Sequence, residues 1–103
     1  MTKNEILQKV KALKKILIKD GFVIDGIFGS YARGDYTDKS DVDILYHLEK
    51  DFLDKYSGFI GFHRLDEIKK IIADAIHKEI DLAPINNLSS TAQKYILKDV
   101  LYV

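Results

Sequence analysis

Two apolar runs with a short polar stretch between them limit what this chain can become. Phe22 to Phe28 (FVIDGIF) and Asp41 to His47 (DVDILYH) are rich in β-branched and aromatic side chains, as buried strands are. Only residues 29–40 separate them, too few to enclose a full crossover helix easily. The pattern around the two runs completes an order of helix, strand, short turn, strand, helix, strand, helix. An α+β domain with a small mixed β-sheet and helices packed mainly on one face satisfies both constraints.

The flanking elements follow from periodicity and punctuation. Thr2 to Lys19 reads as a helix, because Ile6, Val10, Leu13 and Leu17 recur at spacings of four, three and four, one apolar stripe. Thr2 with Glu5 forms a capping-box pattern, and Asp20-Gly21 is a natural stop. The six lysines of this segment belong on its solvated faces. A short helical turn is expected around Tyr31 to Gly34. From Ser57 onward a long helix is expected to bury Phe62, Leu65, Ile68, Ile72 and Ile76, although Gly58 and Gly61 weaken its start. Glu79 to Ala83 reads as a third strand ended by Pro84, the only proline. Ser89 or Ser90 can cap a last helix running to about Asp99. The tail Val100 to Val103 is either an added strand or a contact for another chain.

The segment between the first two strands carries the chemistry. Gly29-Ser30 stands ten residues ahead of Asp41-x-Asp43 in GSYARGDYTDKSDVDILY. With twelve aspartates in 103 residues, roughly one Asp-x-Asp pair is expected by chance. Requiring Gly-Ser at one fixed upstream spacing lowers that expectation to about 0.004. On a strand, residues two apart leave the same face, so Asp41 and Asp43 point together while Val42 and Ile44 face the core. Magnesium takes oxygen ligands, commonly one or two carboxylates plus substrate phosphates. Gly29 lets backbone approach a phosphate, and the Ser30 hydroxyl can donate to that phosphate, cap the turn, or do both. Asp81, between Ile80 and Leu82, is the candidate third carboxylate, with Glu79 on the same face as the alternative. Arg33 either steadies a triphosphate or pairs with Asp35 or Asp38 to fix the loop. Tyr31, Tyr36 and Tyr46 are close enough to stack on a base, but packing is the simpler role. His47, His63 and His77 show no ligand spacing.

On these residues the chain resembles the polymerase-β-like nucleotidyltransferases, most closely the minimal nucleotidyltransferases. The likeness lies in the G-S-x10-D-x-D signature, the following Ala32-Arg33-Gly34 and the Ile80-Asp81-Leu82 strand. It is weakest from His47 to His63. The resemblance implies the nucleotidyltransferase fold over a single domain, residues 1–103. It also implies a catalytic and metal-binding set of Asp41, Asp43 and Asp81, with Gly29, Ser30 and Arg33 toward the nucleotide. ATP would be the substrate and Mg2+, as two ions, the cofactor. The implied role is an antitoxin that transfers AMP to a hydroxyl, a tyrosine, of a partner HEPN ribonuclease toxin. The alternative is a non-catalytic antitoxin that masks the toxin by stoichiometric contact.

Composition sets the outer bounds. At 103 residues the chain suits one domain, with no second domain to grip a small-molecule or RNA acceptor. Sixteen basic residues balance sixteen acidic ones, so no global field draws in nucleic acid, and direct nucleic-acid binding is not expected. The absence of cysteine excludes disulfides and thiolate metal sites. The polar N-terminal segment lacks a signal-peptide core, and no apolar run reaches the ~18 residues that span a bilayer. A cytoplasmic protein without a membrane partner is the expectation.

Overall fold

The computed structural model describes residues 2–103. Helix α1 (Lys3–Leu17) opens on the expected reciprocal cap, Thr2 accepting from the Glu5 amide and Glu5 from the Thr2 amide. Its stripe of Ile6, Val10, Leu13 and Leu17 is buried. The coil then tightens into a 3-10 turn (Ile18–Asp20), so the α-helix ends short of Lys19. Gly21 stops it at φ 82°, a conformation that costs glycine little.

Strand β1 (Phe22–Phe28) leads straight into a five-residue helix, α2 (Gly29–Arg33), closed by Gly34. Strand β2 (Val42–Leu48) begins one residue later than expected. Asp41 stands just outside it, and the Val42 amide makes the first bond, donating to the Glu79 carbonyl at 3.0 Å. Helix α3 (Lys50–Lys55), which no periodicity in the sequence marks, and α4 (Phe59–Ile76) then cross back to β3 (Ile80–Pro84). A 3-10 turn (Ile85–Asn87) precedes α5 (Ser90–Ile96). Ser89 caps α5, its hydroxyl accepting the Ala92 amide at 3.1 Å. After another 3-10 turn (Leu97–Asp99) comes β4 (Leu101–Tyr102), so the tail is a strand of this chain's own sheet.

The sheet order is β3-β2-β1-β4. β1 runs antiparallel to β2 and β4, while β2 and β3 are parallel. The parallel pair is the one joined by the long crossover through α3 and α4, as strand geometry requires. A register shift between Ile24 and Gly26 marks a bulge at Asp25. Gly26 is needed there, because a Cβ would collide with the Leu101 carbonyl of β4.

The core lies between the sheet and α1 and α4. Ile24, Ile27, Val42 and Ile44 meet Ile6, Val10, Ile68 and Ile72 there, all fully buried. One expected core residue is misplaced: Phe62 is exposed. Counting back from Ile68 by three and four reaches Leu65 and Gly61, and Gly61 is the buried one. A side chain at that position would meet the Tyr56 carbonyl at 2.7 Å. Among the described residues no helix is long and apolar enough to cross a membrane.

Candidate active site

β2 and β3 bring the site together through their register. Asp43 lies directly opposite Asp81, flanked by the pairs Val42–Ile80 and Ile44–Leu82. Val42, Ile44 and Ile80 fill the core, so alternation turns Asp43 and Asp81 to the other face. The structure therefore joins two of the three acids expected here. Asp41 is exposed at the mouth of β2, near enough for its charge to act on Asp43. Among the described residues, no three His, Cys, Asp or Glu side chains are gathered closely enough to hold a metal ion by themselves.

Asp43 feels the arrangement most. Burial, then the charges of Asp81 and Asp41 and a hydrogen bond with Asp81, push its pKa up to about 6, with Arg33 opposing them. Two like charges side by side in a half-buried place favour a shared proton or a bound cation.

Gly29 has a sharper role than easing phosphate approach. It sits at φ 72°, and a Cβ on it would fall onto the Asp43 carboxylate. The space left by its missing side chain is the space that carboxylate occupies. Ser30 follows in the first turn of α2, which has no side-chain cap; capping is thus not its role. Arg33 donates from Nε to Asp35 at 3.3 Å and lies 3.9 Å from Asp99. Asp35 rather than Asp38 is its loop partner. Asp99 is a neighbour the sequence concealed, since it arrives from the far end of the chain.

The loop from Asp35 to Ser40 is braced rather than loose. Tyr36 stacks on buried Tyr31 with ring centroids 4.3 Å apart, and its hydroxyl accepts the Lys3 amide at 3.2 Å. Lys78 donates to the Asp38 carbonyl at 2.8 Å. Tyr46 is likewise a packing residue, stacked on Phe22 at 4.7 Å. His47 is held by Asp25 at 2.8 Å and by Glu49 at 3.3 Å. Its hydrogen bond to Asp25 raises its pKa.

Two open clefts flank the acids. One, of about 320 Å3, runs between α4 and β3, with Asp81 and Glu79 facing Asp66, Lys69 and Lys70. The other, of about 410 Å3, has Asp41 and Ser40 on one wall and His77 and Lys78 on the other. Lysine thus lines both clefts, while the cation close enough to act on Asp43 is Arg33. These lysines carry no sequence motif and were legible only as surface charge.

Side-by-side carboxylates, a glycine fitted around one of them and Arg33 nearby are features that suit phosphate chemistry. The nucleotidyltransferase domain family model matches residues 3–103, and the chain belongs to that family. The chain is 33% identical over 104 residues to the protein adenylyltransferase MntA of Thermococcus cleftensis, covering 100% of this chain and 97% of the relative. A Methanocaldococcus jannaschii protein, provisionally named a protein adenylyltransferase, is 30% identical over 105 residues, covering 99% and 98%. Among solved structures, one provisionally described as a minimal nucleotidyltransferase superposes with a TM-score of 0.75. It has 19% identity and coverage of 100% of this chain and 97% of that one. A toxin–antitoxin structure with AMP-PNP gives 0.66 at 19% identity, covering 99% and 72%. Those two likenesses establish the nucleotidyltransferase fold.

The donors present suit magnesium. Asp43 and Asp81 offer hard carboxylate oxygens, and the proton affinity of Asp43 marks a place where a cation would relieve repulsion. Two protein carboxylates with substrate phosphates are a common magnesium environment.

Proposed function

We propose that the chain transfers AMP from ATP to a tyrosine hydroxyl of a partner HEPN ribonuclease toxin, and thereby acts as its antitoxin. The observation that carries this reading is the Asp43–Asp81 pair set in register beside Gly29. The protein adenylyltransferase relatives and the toxin–antitoxin fold likeness support the acceptor and the biological role.

The acceptor hydroxyl oxygen attacks the α-phosphorus, a new P–O ester bond forms, and the bridging α–β P–O bond breaks. Pyrophosphate departs with that electron pair. Asp81, exposed on β3 opposite Asp43, takes the hydroxyl proton. Asp43 and Asp81, with Asp41 at the mouth of β2 and the substrate phosphates completing the set, would hold two magnesium ions, which would supply Lewis-acid charge to the reaction. Arg33 turns from Asp35 and Asp99 toward the triphosphate, Ser30 donates its hydroxyl to it, and Gly29 keeps Asp43 in place. With no covalent intermediate, rate enhancement rests on positioning and electrostatics.

The test is incubation of the pure chain with α-labelled ATP, magnesium and the toxin. Label on the toxin and restored growth are expected, and unlabelled toxin removes the enzymatic reading. Asp41→Asn combined with Asp43→Asn separates catalysis from masking. Loss of neutralisation supports transfer, whereas neutralisation that survives points to stoichiometric contact.

A further inference from the structure

At the other end of β2 from the acids, the surface changes character. Leu48, Phe52, Tyr56 and Leu65 line a groove of about 400 Å3 between α3 and the start of α4. Around it stand Phe59 at 91% exposure, Phe62 at 70%, Ile60 at 60% and Leu53 at 57%. The first turn of α4, Phe59-Ile60-Gly61-Phe62, carries no charged residue, and its N-cap Gly58 provides no side-chain bond. A helical turn that is apolar all round belongs in an interior or an interface.

We infer that this face is a two-fold interface between two copies of the chain. Three observations favour a second copy. The patch holds both a protruding aromatic, Phe59, and a groove able to receive one, so it is complementary to itself, as a two-fold contact must be. Its rim is neutral: on α3, Lys50 and Lys55 balance Asp51 and Asp54. Two copies thus meet without like-charge repulsion, whereas a strongly charged partner would gain nothing there. The area also fits. A whole aromatic side chain buries roughly 150–250 Å2, so Phe59 and Phe62 alone leave about 300 Å2 of apolar surface in water. With Ile60 and Leu53 the patch stands among the largest apolar patches that monomers expose. It reaches about half of the ~800 Å2 per partner of a standard interface.

The geometry leaves chemistry free. Leu48 is five residues along β2 from Asp43, roughly 17 Å at strand rise. A dimer formed here carries its two acid pairs at outward ends. The inference does not depend on the reaction assigned to those acids.

Sedimentation equilibrium of the intact chain at about 100 μM tests it. A mass near twice 11.8 kDa is expected, with Phe59→Asp and Phe62→Lys each weakening association at least tenfold. Both side chains stand in water, so circular dichroism should match the parent. Tyr102→Asp, on the distant exposed edge strand, should leave association unchanged. Amide exchange between Leu53 and Phe62 should slow as concentration rises. A monomeric parent, a dimer indifferent to Phe59→Asp and Phe62→Lys, or protection confined elsewhere would each overturn the proposal.

Discussion

Asp43 is pulled between folding and function. Unfolded, its carboxyl has an ordinary affinity for protons; folded, burial and its acidic neighbours raise the pKa to about 6. The folded state therefore binds that proton more tightly, and Asp43 costs stability increasingly as pH rises from about 4 through 6. Asp43→Asn should abolish nucleotide transfer and still stabilise the metal-free protein by about 1 kcal/mol at pH 7. That corresponds to a rise of about 4–8 °C in Tm, a gain that fades below pH 4; melts at several pH values measure it. Gly29 is bound to the same residue. Gly29→Ala adds a methyl where the Asp43 carboxylate lies, in a left-handed conformation, and should cost about 2 kcal/mol with most of the activity. A Gly29→Ala protein that transfers AMP at the parent rate and melts unchanged would refute this fit.

Among the elements, those with a period or a punctuation mark could be read in advance. The α1 stripe, the Thr2–Glu5 cap, β1 and the Ser89 cap all state their roles locally. α3 could not be read because Lys50 to Lys55 is one short turn among loop-like residues, with only Phe52 buried. Phe62 misled because its bulk suggested burial while the helical count gave that place to Gly61. Asp43 and its strand neighbours were legible from alternation, but the partnership with Asp81 needed the parallel register, which no local pattern specifies. Asp20 shows the same division. Its Gly21 neighbour signalled a stop, yet its contacts come from the residue that ends α3 and from α4: the Tyr56 hydroxyl at 2.8 Å and the Arg64 guanidinium at 2.7 Å. Burial alone would raise the Asp20 pKa, but these donors outweigh it and hold it below the ordinary 3.8. A carboxylate held low stabilises the fold above its unfolded pKa and loses that contribution as pH falls through the folded value. Asp20→Asn should cost about 1 kcal/mol at pH 7, with the difference from the parent closing below pH 3. Urea titrations at the two pH values check it.

Taken whole, the molecule separates its tasks along β2. The Asp43 end meets Asp81; the Leu48 end opens on a mostly apolar groove. Length, charge balance and the absence of cysteine bounded the fold from outside, and the family match over residues 3–103 agrees with one continuous sheet. The exposed patch beside Leu48 was hidden because Phe59, Ile60 and Phe62 look, in one dimension, like the beginning of a core helix.

β3 is an outer strand of the sheet, and Asp81, its second residue, is exposed. Bare strand margins invite neighbouring molecules to stack, and a charge set into the margin is a common guard against that. The acid proposed to take a proton in catalysis would then also act as a gatekeeper against fibril-like growth. Replacing it with alanine, the obvious route to an inactive control, should make concentrated samples scatter more light on storage than Asp43→Asn samples do. Equal clarity in both would leave Asp81 with chemistry as its only duty.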